Sequence, residues 1–153
     1  MARAIQSDAE FDYEMLPAFL VGGIFARELL PFEYLTRMIL QNREFSDDVR
    51  VEGYLDASEP SLVISQPNLK GQPATADQMS AQMLHFGYLP LGNLEVGKKN
   101  SIFFYQPACR IAVFDAHPGN FFHENGMTIP IDGILAEITA DAEHHWLLQH
   151  IRS

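Results

Sequence analysis

Positive charge is what this sequence has least of. Ten lysines and arginines stand against twenty aspartates and glutamates in 153 residues, a net charge of −10. Only three of the ten are lysines (Lys70, Lys98 and Lys99), and the longest basic run is Lys98-Lys99. A nucleic-acid surface needs a cationic stripe that displaces phosphate counterions, so general nucleic-acid binding is excluded. The same deficit disfavours an anionic membrane surface. Cysteine is nearly absent: Cys109 has no partner for an internal disulfide, sits in an apolar run and reads as a buried thiol in a reducing compartment. Long hydrophobic runs are lacking as well. Leu16 to Ala26 is about half a membrane span and contains Pro17, Gly22 and Gly23. Residues 1–14 carry acids and no apolar centre, unlike a secretory leader. The expectation is a soluble, cytoplasmic protein. Three catalytic signatures are also missing: a Gly-x-Ser-x-Gly elbow, a Gly-x-x-x-x-Gly-Lys phosphate loop, and enough positive charge around Cys109, beside Arg110, to activate a thiol.

What is present suffices for one core. Hydrophobic residues are 47% of the chain, with eleven Phe, five Tyr and six Met, and a chain of this size buries roughly two-thirds of its unfolded surface. No repeat, linker or low-complexity tract divides it, so residues 1–153 read as one domain with 1–15 loosely held. Residues 16–26 fit either a strand or a short helix. Pro31 at a first helical position, then Phe32, Leu35, Met38, Ile39 and Asn42, predict a helix over 31–43. Alternation over 49–56 and 61–66 around Ser58-Glu59-Pro60 predicts a hairpin, and 66–73 an extended connector. Thr75 with Gln78 forms a capping box for a helix over 75–86, with Met79, Met83, Leu84 and Phe86 inward and Gly87 as its stop. Short strands are expected at 88–91 and 101–105, a buried strand at Ile111–Phe114, a hairpin at 121–123 and 127–131, and a helix over 137–151 with Ile138, Trp146, Leu147 and Ile151 inward. Glu143, His144, His145 and His150 read as its solvated face.

Asn125-Gly126 is the strongest hairpin signal in the chain. With it as a two-residue loop, facing residues have numbers summing to 251, so Asn120 lies opposite Ile131 and Asp132 opposite Gly119. Asp115 stands five residues before Asn120. Two carboxylates and an amide oxygen thus share one rim, a hard-oxygen set suited to Mg²⁺ and to the positioning that phosphoryl transfer needs. A transition-metal site of His117 and His123 with Asp115 is the lesser alternative, because His123 faces away along its strand. An Asp and an Asn beside Pro118-Gly119 also serve as ordinary turn formers.

Asp115-Ala-His117-Pro118-Gly119-Asn120, followed by Ile131-Asp132-Gly133, resembles the catalytic and metal-binding loops of the protein-kinase-like fold. The runs Phe32-Glu33-Tyr34-Leu35, Gln41-Asn42, Val51-Glu52-Gly53-Tyr54, Ile64-Ser65-Gln66-Pro67 and Gly71-Gln72-Pro73-Ala74-Thr75 are similar to the polyvalent protein kinases of bacterial mobile elements. The resemblance covers residues 31–135. It implies a truncated kinase-like α+β core with small antiparallel hairpins and a few helices, in which 31–43 takes the place of the αC helix and 49–66 the strands leading to the hinge. It further implies Asp115 as catalytic aspartate, Asn120 and Asp132 as metal ligands, His117 as an orienting residue, and Mg²⁺ and ATP as cofactors.

The chain also departs from that family. Active kinases hold the nucleotide phosphates with a lysine ahead of the αC helix, and no lysine here precedes Lys70. Gly22-Gly23 is a weak counterpart of a phosphate loop. Two functions follow: a minimal phosphotransferase, or a non-catalytic pseudokinase-like interaction module whose uncovered surface is closed by self-association or a protein partner.

Overall fold

The structure, a computed structural model, describes residues 31–56, 61–68, 71–92 and 100–152. In chain order its elements are helix α1 (Pro31–Phe45), strands β1 (Arg50–Leu55), β2 (Ser61–Ser65) and β3 (Gln72–Pro73), helix α2 (Ala76–His85), strands β4 (Leu89–Pro90), β5 (Ile102–Gln106) and β6 (Ile111–Ala116), a 3₁₀ turn at Pro118–Asn120, strands β7 (Phe121–Glu124), β8 (Met127–Pro130) and β9 (Ile134–Glu137), and helix α3 (Asp141–Gln149). The fold is α+β, with antiparallel pairing throughout: β1-β2, β3-β7-β8 and β4-β5-β6-β9.

The four-stranded sheet is buried on both sides because its central strands leave no polar face. Ile111 to Phe114 are four apolar residues in succession, and every one is buried. One face of such a strand cannot be left to water. On one side Leu40 and Phe45 of α1 and Met79 and Met83 of α2 pack with Phe104, Ile111 and Val113. On the other, Leu147 of α3 packs with Phe103, Tyr105, Ala112 and Phe114, the two phenylalanine rings meeting edge to face at 4.1 Å. Among the described residues no helix is long and apolar enough to cross a membrane.

Local signals account for the helix ends. The Thr75 hydroxyl accepts from Gln78 N (3.2 Å) and the Gln78 side chain from Thr75 N (2.9 Å), which completes the expected capping box. Gly87, at φ +83°, follows α2 in the conformation glycine tolerates best. α1 runs two residues past the expected end, to Phe45, which is buried in the core. The turn after it is pinned by Asn42, whose amide bonds both the carbonyl (2.8 Å) and the N–H (3.0 Å) of Val49.

Several expectations are corrected. Ile39 is 64% exposed, because the helix turns Met38, Leu40 and Gln41 inward instead. Leu84 is 51% exposed for the same reason, lying one step around α2 from Met83. Residues 134–137 form a strand and the last helix begins only at Asp141. Ile138 is nonetheless buried, its N–H held by the Arg110 carbonyl at 2.8 Å, which keeps this stretch extended beside β6. Of the expected solvated face only His145 is exposed; Glu143, His144 and His150 are half-buried, His144 Nδ1 meeting the Tyr105 hydroxyl at 2.5 Å and His150 stacking on Trp146. Cys109 lies half-buried in the β5–β6 turn. The Leu16–Ala26 run, Gly22-Gly23, the side chain of Phe32, the Ser58-Glu59-Pro60 turn, Lys70 and Lys98-Lys99 lie outside what is described.

The face of α2 gives the first expected outcome. Met83→Ala, at 0% exposure, should cost about 2–5 kcal/mol. Its neighbour Leu84→Ala should cost less than about 1 kcal/mol. Paired urea denaturation curves check both, and equal losses would mean that the helix face is misassigned.

Candidate functional site

Asp115 owes its position to a fault in the β5–β6 ladder. Ile102 pairs with Ala116 and Phe104 with Val113, so Phe114 and Asp115 together stand opposite Phe103 alone. This is a β-bulge, a device that re-aims a side chain. Asp115 takes the left-handed conformation, φ +54°, which costs an ordinary L-residue about 1–2 kcal/mol and aspartate somewhat less. Strain of this kind persists where surrounding contacts impose it, and it clusters at functional sites. Asp115 Oδ1 accepts from the hydroxyl of Ser101, a buried residue, at 2.7 Å.

The next five residues wrap around that aspartate. The Asn120 Nδ2 group donates to the Asp115 carbonyl at 3.0 Å, which turns the amide's oxygen end away from that carbonyl. His117 Nδ1 accepts from Gly119 N at 3.1 Å, so in the neutral ring the proton sits on Nε2, which faces Asp115 Oδ2 at 4.0 Å. A Cβ at Gly119 would lie 3.0 Å from the imidazole, so a larger residue there would have to push the ring aside by a few tenths of an ångström. His117 thus caps the 3₁₀ turn by accepting a backbone N–H, where the sequence reading has it bonding backbone carbonyls.

The hairpin brings Asp132 alongside. Asn125 (φ +51°) and Gly126 (φ +83°) form the two-residue turn, and Phe121↔Pro130 through Glu124↔Met127 hold the expected register. The Ile131 N–H then donates to the Asn120 carbonyl at 2.9 Å, leaving Asp132 one residue beyond Asn120's partner. The carbonyl of the same residue is held too. Gln41 on α1 and Gln66 after β2 both donate to the Ile131 carbonyl (3.3 and 3.2 Å) and to Asp47 Oδ2 (2.6 and 2.8 Å). Asp132 lies electrostatically against α1: burial first, and the Asp132 carboxylate second, push the Tyr34 phenol above its ordinary range, while Arg37 pulls it back.

Ser101 escaped the sequence altogether. Gln41 and Gln66 stood in runs that carry the resemblance but with no role attached, and each reaches Ile131 only through tertiary pairing. His123 is not brought to Asp115 and His117; it bonds Thr128 across the hairpin at 2.9 Å. Among the described residues no three His, Cys, Asp or Glu side chains gather into a metal-holding group. Asp115, Asn120 and Asp132 each carry hard oxygen donors, few in number. That set fits Mg²⁺, which takes one or two carboxylates and fills its remaining positions with water and phosphate oxygens.

Cys109 lies outside this rim. Its thiol contacts the Gln106 amide oxygen and lies 3.8 Å from Glu44 Oε2, a carboxylate that also accepts from the Tyr88 hydroxyl at 3.1 Å. Burial first, and Glu44 second, push the thiol up. Deprotonation is thus disfavoured in the folded state, and alkylation by iodoacetamide at pH 7 should be slower than in the urea-unfolded chain. Glu44→Gln should speed it, and a rate matching the unfolded chain would contradict the assignment.

The bulge carries its own expected outcome. Asp115→Gly and Asp115→Ala both delete the carboxylate and its bond to Ser101, but only glycine relieves the left-handed backbone. Asp115→Gly should be the more stable by about 1 kcal/mol, as read from paired thermal melts. Equal stabilities would remove the argument from strain.

In comparisons with known proteins, no family model matches the chain, and neither a curated protein nor a solved structure shows significant similarity to it.

Proposed function

We propose that this chain is a minimal protein-kinase-like domain whose rim of Asp115, Asn120 and Asp132 binds a Mg²⁺-nucleotide. The observation that carries the reading is the strained bulge. A carboxylate is held at φ +54°, tied through its own carbonyl to Asn120, and the hairpin register sets Asp132 next to that asparagine. Turn formation alone does not call for an acid in this backbone conformation, where glycine is less strained. In this reading Asn120 and Asp132 hold the metal, which when bound offsets charge on the phosphate oxygens. Asp115 orients an acceptor hydroxyl and takes its proton, and His117 fixes the loop that carries both. The excess of acid over base argues against a nucleic-acid partner, and the lone cysteine suits a cytoplasmic setting.

A second reading is a non-catalytic, pseudokinase-like interaction module, and the β1-β2 hairpin favours it. Val51 and Tyr54 pair with Ile64 and Leu62 on one face, and Tyr54 is 61% exposed. A two-stranded sheet with an apolar face is marginal alone and is stabilised by cover, such as a second copy or a protein partner.

Calorimetric titration of ATP, with and without Mg²⁺, separates the two. The first reading expects Mg²⁺-dependent heat in the wild type and at least tenfold weaker binding in Asp132→Ala. Full binding by Asp132→Ala, or no heat from folded wild type at millimolar ATP, would leave the interaction module, for which sedimentation should then show association that rises with concentration.

A further inference from the structure

We propose that Ser101 is a positioning residue for this rim, fixing the plane and rotamer of the Asp115 carboxylate; the inference rests on the kinase-like reading above. Ser101 is 5% exposed, so its hydroxyl needs a partner within the protein. A backbone carbonyl would serve a purely structural need. The hydroxyl instead reaches Asp115 Oδ1 at 2.7 Å, across 14 residues of sequence, from the residue preceding β5 to the bulge of β6. Ser101 and Asp115 flank the Ile102–Ala116 pair on opposite sides, and the bulged aspartate reaches the hydroxyl across it.

An aspartate side chain has two free torsions, and a hydrogen bond to one of its carboxyl oxygens restricts both. His117 Nε2 faces the other oxygen at 4.0 Å, so the carboxylate is flanked on either side by a group that the fold itself positions. Preorganisation of this kind acts on rate more than on ligand affinity, because the metal and phosphates fall to Asn120 and Asp132.

The reaction it serves transfers the terminal phosphoryl group of a nucleoside triphosphate to a hydroxyl. The acceptor oxygen bonds to phosphorus as the bond to the diphosphate oxygen breaks. The electron pair leaves with the nucleoside diphosphate, and the hydroxyl proton passes to Asp115 and on to solvent. Water replaces the acceptor in the assay, giving the nucleoside diphosphate and inorganic phosphate.

The test compares wild type, Ser101→Ala and Ser101→Thr by three readouts on the full chain. The Hα–Hβ couplings of Asp115, measured by NMR without ligand, should show a single rotamer in wild type, averaging in Ser101→Ala and recovery in Ser101→Thr. Calorimetric affinity for Mg²⁺-ATP should stay within twofold across the three. Phosphate release should fall about tenfold in Ser101→Ala, a fraction of what general base catalysis supplies, and recover in Ser101→Thr. Unchanged couplings in Ser101→Ala would overturn the proposal. So would parallel losses of affinity, turnover and melting temperature, which would mark Ser101 as structural only, or wild type that binds Mg²⁺-ATP yet releases no phosphate. Wild type that binds no ATP overturns the kinase-like reading itself and this inference with it. The calorimetric arm alone reports that failure, so the two are distinguishable.

Discussion

The burial of β6 on both faces is the constraint on which the rest depends. Ile111 to Phe114 send side chains alternately into two cores, one closed by α1 and α2 and the other by α3. A strand held in this way cannot slip, because a one-residue shift would exchange the two cores. The ladder error at Phe114 and Asp115 is therefore locked in place, with packing on either side of the sheet sustaining a conformation that Asp115 would not adopt alone. The stability of the cores and the strain of the site are two sides of one arrangement.

Much of this was legible in the sequence, and the reasons are local. The Thr75 capping box, the Asn125-Gly126 turn and the run Ile111 to Phe114 each specify their conformation within a few residues. The register that sets Asn120 opposite Ile131 followed from the turn alone. What was not legible depends on rotation and on distance. Helical periodicity allowed Ile39 and Leu84 to face inward, and only packing against the sheet decided against them. The strand at Ile134–Glu137 is too short to announce itself, and it forms because β6 offers it an open edge.

The site divides along the same line. Asp115, His117, Asn120 and Asp132 lie within one stretch of chain, and their spacing is a pattern. Ser101 has no pattern, and Gln41 and Gln66 stood in resembling runs without a role, since a serine before a strand and a glutamine on a helix are ordinary residues until tertiary structure aims them. The bulge was equally hidden. Nothing distinguishes Phe114-Asp115-Ala116 from a regular strand end until the pairing of Ile102 and Phe104 is known.

The clamp on the Ile131 carbonyl has a consequence for the order in which the molecule assembles. The bonds within the rim close short loops: five residues separate Asn120 from Asp115, and β7 and β8 meet across a two-residue turn. The clamp closes separations of 90 residues to Gln41 and 65 to Gln66. Loop-closure entropy makes the longest of these about 2 kcal/mol costlier than a ten-residue loop, and contacts distant in sequence form slowly. The β7–β8 hairpin and the Asp115–Asn120 loop before it can therefore take shape early as a local unit. The clamp itself closes only when α1 and the exit of β2 dock, so the tie between the β7–β8 hairpin and α1 belongs to a chain that has already built its first core.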